Sequence, residues 1–161
     1  MSQHTVFHGS PWIRALGAAL LGALLTLAVT INGARAEASL PAAEIEKIHG
    51  VITAQLDAFK RDDAAAAFSY ASPGIQEKMG SPEFFLELVR NQYPPVYRSK
   101  GIEFQEVVAL DGSVGIIQPA LVTGADDEQV LAVYTLELIL GGNWRISGCL
   151  LYRIVPNRIE T

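Results

Sequence analysis

A handful of side chains in this sequence have the chemistry to bind or transform something. His49 is the only histidine after residue 36, and it sits beside the Ile45, Ile48 and Ile52 stripe rather than within it. No Asp or Glu is fixed next to it by spacing, so it reads as a partly exposed flank of the core rather than a general base. Cys149 is the only cysteine. It has no partner for an internal disulfide, and a nucleophilic thiol needs an adjacent base. It therefore reads as a small buried hydrophobe, with an intermolecular disulfide or a redox role as the alternative. One His and one Cys fall short of a zinc or copper ligand set, so no metal and no other cofactor is expected. Asp126-Asp127-Glu128 is acidic but lacks the alternating spacing and the glycine of a calcium loop, and reads as a solvated hairpin tip. No phosphate loop, dinucleotide fingerprint, G-x-S-x-G or H-E-x-x-H is present.

The remaining chemistry lies on alternating segments. Glu106 falls on the same side as Ile102, Phe104, Val108 and Leu110, and a three-residue loop at Asp111-Gly112-Ser113 sets Gln118 directly opposite it. Tyr134 then points the same way from the next strand. A carboxylate, an amide and a phenol on an apolar face make a candidate ligand pocket of Glu106, Gln118 and Tyr134, suited to an apolar molecule with one hydrogen-bonding end. The alternatives are an exposed strand end or a bulge at Pro119. Glu137 is expected on the opposite face, facing Ser147 and diagonal to Arg145 in a cross-strand ion pair.

The elements that must position these residues follow from periodicity. Pro41 opens a helix whose Ile45, Ile48, Ile52, Leu56 and Phe59 recur at spacings of 3, 4, 4 and 3. Asp62 or Asp63 caps a second, short helix from Ala64 to Tyr70, with one more turn at Ile75 to Met79. Ser81-Pro82-Glu83 starts a third, Pro82 to Gln92, which Pro94-Pro95 stops. From Ile102 the period becomes two, giving strands over 102–110, 114–123, 129–140 and 144–155 with short links between them. The predicted fold class is α+β: three N-terminal helices on one face of a four-stranded antiparallel meander. A loop at Gly141-Gly142-Asn143 pairs Leu138 with Ile146, Leu136 with Gly148, Tyr134 with Leu150 and Ala132 with Tyr152 on one apolar face. Leu131, Val133, Ile139, Leu151 and Val155 then lie on the back, enough apolar area to expect a homodimer through the sheet.

Length and charge narrow the classes further. The 161 residues are 50% apolar and 18% charged, the content of one globular domain. Arg14, the uncharged run Ala15 to Ile31 and Ala34-Arg35-Ala36 have the order of a secretory signal, so residues 1–36 are expected to be cleaved and residues 37–161 to form one periplasmic or secreted domain. The alternative is an inner-membrane anchor over residues 15–31, which are just long enough to span. Cleavage removes Arg14 and Arg35 and no acid, taking the charge from −5 to −7. That balance disfavours nucleic acid and anionic membrane surfaces as partners, with membrane contact expected only if the N-terminal segment is retained.

Gln55-Leu56-Asp57-Ala58-Phe59, Asp63, Ala67-Phe68, Ala71-Ser72-Pro73, Ile75, Phe84, Val89, Tyr93-Pro94-Pro95-Val96-Tyr97 and Trp144-Arg145-Ile146-Ser147-Gly148-Cys149 together resemble a bacterial family, domain of unknown function 4864. The resemblance covers about Ile45 to Tyr152. It implies the nuclear-transport-factor-two-like fold, also called SnoaL-like or cystatin-like, in which helices close one side of a curved sheet into a cone. In that superfamily ketosteroid isomerase and the polyketide cyclases do acid/base chemistry inside the cone, while other members only bind. The isomerase site needs aspartates in an apolar setting. Here the strands hold none, and Asp111, Asp126 and Asp127 sit in turns. The resemblance assigns no catalytic residue. The function expected is a binding or accessory module for a small apolar ligand or a protein partner; the alternatives are a metal-free lyase or isomerase with Glu106 as base, and a structural homodimer subunit.

Overall fold

The computed structural model describes residues 40–110 and 115–154. Residues 1–36, expected to be a secretory signal, the turn expected at Asp111-Gly112-Ser113 and Val155 lie outside the described residues.

Local sequence chemistry sets the helical layer. Helix α1 (Ala42–Lys60) buries Ile48, Ile52, Leu56 and Phe59 along the expected stripe. The side chain of Gln55, also buried, donates from Nε2 to the Ala67 carbonyl at 3.1 Å and so ties α1 to the next helix. Each of the three following starts has a side-chain cap, which satisfies one of the otherwise orphan N–H groups of the first turn. Asp63 accepts from Ala66 N at α2 (Ala64–Ser69), Ser72 from Ile75 N at α3 (Pro73–Met79) and Ser81 from Phe84 N at α4 (Pro82–Gln92). Among the described residues five helices form rather than three. The turn expected after Pro73 is a helix of its own, and Pro94-Pro95, while ending α4, also opens the four-residue α5 (Pro94–Tyr97). Proline blocks a helix interior but suits its first turn, so the same pair does both.

The antiparallel sheet has five strands, not four: β1 (Gly101–Phe104), β2 (Val108–Ala109), β3 (Gly115–Thr123), β4 (Gln129–Ile139) and β5 (Asn143–Arg153). The order is β1-β3-β4-β5, with β2 also pairing β3. The expected strand over 102–110 is broken because its register slips. Phe104 faces Ala120, whereas Val108 faces Ile117, so three residues on one side span two on the other. This bulge lies opposite Pro119, a residue with no N–H to give to the ladder.

The β4–β5 hairpin also departs from the expected register. Ile139 pairs with Asn143, Leu138 with Trp144 and Leu136 with Ile146. The loop is therefore Leu140-Gly141-Gly142, one residue earlier than expected, because both glycines take positive φ (93° and 77°) and must sit at the bend. A second break follows. Thr135 pairs with Gly148 and Tyr134 with Cys149, leaving Ser147 as the extra residue of a bulge. A bulge reverses which face later residues occupy. Trp144 and Ile146 point to the core before it, and Cys149 and Leu151 pack against the core after it. Leu151 was expected on the back of the sheet and is corrected to the helix-facing side, where Cys149 joins it; Leu150 and Tyr152 move outward, 60% and 53% exposed. Gly148 has no room for a side chain, since a Cβ there would lie 2.7 Å from Thr135 Oγ1.

The core lies between the helices and the even-numbered face of β3 and β4, where Ile116, Gln118, Ala120, Val122, Ala132, Tyr134 and Leu136 are buried. The free edge of β5 is partly covered by the chain itself. Ser72 N donates to the Ile146 carbonyl at 2.8 Å and Ile146 N to the Tyr70 carbonyl at 2.9 Å. That pairing occupies backbone groups that an edge strand otherwise leaves open.

Candidate functional site

Gln118, Tyr134 and Cys149 form a row across β3, β4 and β5, each pair in direct register. The row decides the fate of the predicted pocket. Gln118 is fully buried, but its polar atoms are already used: Nε2 donates to the Gln105 and Pro119 carbonyls at 2.7 and 2.8 Å, and Oε1 meets His49 Nε2 at 3.2 Å. Because the amide NH2 donates twice, Oε1 is the acceptor, and His49 must carry its proton on Nε2. His49 is not simply a flank of the core. Its ring stacks on Phe104 at 3.8 Å with planes 4° apart.

Glu106 is corrected outright in position. It is exposed, falls in the broken segment between β1 and β2, and does not face Gln118. The extra residue of the bulge turns it out of the apolar face on which strict alternation placed it. Gln105 N bonds to the Pro119 carbonyl in its stead, at 2.9 Å. Glu137 also shifts: it faces Arg145 directly, and the Arg145 guanidinium donates to the Trp144 carbonyl at 2.9 Å.

Tyr134 is the predicted residue that does line a cavity. The space measures about 580 Å³ and is bounded by Gln55 and Phe59 of α1, Ile75 and Met79 of α3, Phe85, Leu88 and Val89 of α4, and Tyr134, Ile146 and Cys149 of the sheet. It continues along the β5 edge to Thr135, Leu150 and Tyr152. Neither Glu106 nor Gln118 borders it. Helix α4 presents Phe85, Leu86 and Val89 inward and its charged residues outward, which gives the cavity an apolar wall.

Tyr134 is 1% exposed, and its hydroxyl has no hydrogen-bond partner among the described residues. Its polar neighbour is the Cys149 thiol, a weak acceptor that makes no well-formed bond with it. Burial, and secondarily that thiol, push the phenol well above its ordinary range. Burial likewise pushes the Cys149 thiol up to about 12. Both groups are protonated at neutral pH, so Cys149 is not a poised nucleophile and Tyr134 is a donor only waiting for an acceptor. Sequence reasoning missed the helical half of this cavity. Leu88, Ile75 and Met79 look like ordinary core residues in the sequence, and only packing shows that they leave a space.

A separate polar cluster closes the corner after α1. Asp62, at φ 57°, accepts from the Tyr97 hydroxyl and from Arg98 Nη2 at 2.7 Å, while Arg90 Nε donates to the Tyr97 oxygen at 2.9 Å. Arg98 also lies 3.8 Å over the Tyr97 ring and caps the α1 carbonyl of Phe59. The bond from Tyr97, then that from Arg98, holds the Asp62 carboxyl below its usual range. Its groups satisfy one another, which marks a structural clasp. The acidic turn 126–128 is likewise accounted for: Asp126 accepts from Glu128 N at 3.2 Å and Asp127 pairs with Lys100 at 2.7 Å. Among the described residues no group of three or more His, Cys, Asp or Glu is placed to hold a metal ion, and no helix is long and apolar enough to cross a membrane.

Helices packed on an antiparallel sheet over an apolar cavity define the class as an α+β domain. The chain belongs to the family described as Domain of unknown function (DUF4864), whose model matches residues 41–158. No curated protein and no solved structure matches it.

Proposed function

We propose that this chain is a small-molecule-binding accessory module of the nuclear-transport-factor-two-like type, with its ligand held in the cavity between the helices and the β4–β5 half of the sheet. One observation carries the reading: an apolar space of about 580 Å³ is bordered by Tyr134, whose buried hydroxyl has no hydrogen-bond partner among the described residues. That volume is within the roughly 300–1,000 Å³ of small-molecule sites. An unpaired buried hydroxyl is costly, and a ligand oxygen accepting from Tyr134 removes that cost. The ligand is thus mostly apolar with one acceptor reaching the phenol. The lyase or isomerase alternative draws no support from Glu106, which is exposed.

The test is binding of N-phenyl-1-naphthylamine, a neutral apolar fluorophore. Wild type should enhance its emission saturably, and Leu88→Trp, which fills the cavity from α4, should abolish that enhancement without unfolding the domain. Wild type that gives no enhancement, or equal enhancement by the variant, overturns the reading.

Self-association is a second reading, favoured by the exposure of Leu150 and Tyr152 beside the part-exposed Leu131 and Val133 on the outer face of the sheet. A second copy would cover this strip. Sedimentation at high micromolar concentration should show a dimer that Leu150→Glu dissociates; a monomeric wild type rejects it. The module is further read as exported, on the signal-like residues 1–36, and intact mass of the periplasmic protein should begin at Glu37.

A further inference from the structure

We infer that the occupant of this cavity is an anionic amphiphile whose acidic headgroup is held at the entrance by Lys78. The inference rests on the binding reading above and adds the charge of the ligand to it.

Four lysines are described, and three are held by a carboxylate: Lys47 by Glu44 at 2.7 Å, Lys60 by Asp57 at 3.0 Å and Lys100 by Asp127 at 2.7 Å. Lys78 is the exception, with no ion pair or hydrogen bond among the described residues. It closes α3, is exposed, and borders the cavity next to the apolar Ile75 and Met79 of the same helix. Its position gives the stem an apolar wall to lie along while the ammonium stays at the opening.

The rest of the lining fixes the sign. No Asp or Glu borders the cavity among the described residues, although the whole chain carries 17 acids against 12 bases. In so acidic a protein, an opening whose only charge among the described residues is a cation unpaired there is electrostatically distinct from the acidic average of the chain. A cationic ligand would find no counter-charge there, and a neutral one would leave the ammonium unused. An anionic headgroup on Lys78 gains a charge-assisted hydrogen bond at the rim of a low-dielectric space, while its apolar body occupies the interior lined by Phe85, Leu88 and Val89. A carboxylate and a phosphate monoester share this chemistry, and different probes separate them.

The experiment displaces N-phenyl-1-naphthylamine with three compounds of one chain length: dodecanoate, dodecanol and dodecylammonium. Dodecyl phosphate, as a fourth, separates a carboxylate from a phosphate preference. The expected order for wild type is anion, then alcohol, then ammonium, with the anion about fivefold tighter than the alcohol, as for a partly exposed ion pair. Lys78→Met should remove that advantage and leave the alcohol and the melting temperature unchanged, because the residue is exposed and bonds nothing among the described residues. Raising salt should weaken the anion alone. Equal binding of all the compounds, or an anion preference that survives Lys78→Met, overturns the inference while leaving the cavity reading intact. Failure of wild type to bind the fluorophore at all overturns the binding reading instead, so the two failures are distinct.

Discussion

Replacing Tyr134 by Phe separates the two roles of this side chain, because the ring packs while the hydroxyl has nothing to bond. The ring is among the largest fully buried groups, alongside Phe59 and Leu136, and the substitution keeps it. What is lost is a hydroxyl that gave up its water on folding and received no hydrogen bond in return. An unsatisfied buried donor costs about 1–3 kcal/mol, offset in part by the small void the missing oxygen leaves. The variant without ligand should therefore be more stable by about 1 kcal/mol, a rise in melting temperature of about 4 °C for a domain of this size. Urea unfolding followed by far-UV circular dichroism reads the free energy. Binding should move the opposite way: affinity for 2-undecanone, whose carbonyl accepts from the phenol, should fall about fivefold, the worth of one hydrogen bond, while N-phenyl-1-naphthylamine binds as before. Destabilisation of 1 kcal/mol or more in the variant refutes the reasoning, because it means the hydroxyl is bonded in solution. Repeating the substitution on a Cys149→Ala background then shows whether the thiol is that partner.

Raising the pH should weaken the fold through Cys149. Its native value of about 12 lies above the roughly 8.5 of an unfolded cysteine, so the stability is whole below pH 8.5 and is lost as pH rises towards 12. The loss at pH 10 is on the order of 2 kcal/mol by linkage, and Cys149→Ala should flatten that alkaline slope; an unchanged slope dismisses the thiol as its source. The Asp62 carboxyl is held low by Tyr97 and Arg98, so its contribution is present above about pH 4 and disappears as pH falls through its native value. Asp62→Asn should lower the melting temperature at pH 7 and make little difference below pH 3, where wild type has lost the same interaction. A variant that loses as much at pH 3 as at pH 7 would show that the left-handed turn, not the charge, is what matters there.

Some of this protein is written locally. The stripe Ile48, Ile52, Leu56 and Phe59 fixes the buried face of α1 through 3.6-residue periodicity alone, and Ser81-Pro82-Glu83 places the start of α4 through a cap, a pre-set φ and an acid in the first turn. Alternation identified Ala132, Tyr134 and Leu136 as inward-facing because each lies on the unbroken β3–β4 ladder. Tyr134 was legible as an inward-facing residue for that reason. Glu106 was misplaced, and Leu151 was assigned to the wrong face, because a single extra residue inverts parity and a bulge leaves little trace in the apolar pattern. Pro119 and Gly148 are the local hints, one lacking a ladder donor and the other a Cβ, but each is compatible with a regular strand end as well.

The run of helices before strands, the buried stripe of α1 and the starts of α1 and α4 thus follow from the amino-acid sequence, since each depends on neighbours within one or two turns. The register of β5, the pairing of His49 with Gln118 across 69 residues and the space beside Tyr134 were decided only by tertiary structure. The physical reason is that a cavity is a mismatch between surfaces brought together from distant segments. No local pattern records the volume that Leu88 on α4 and Tyr134 on β4 leave unfilled between them.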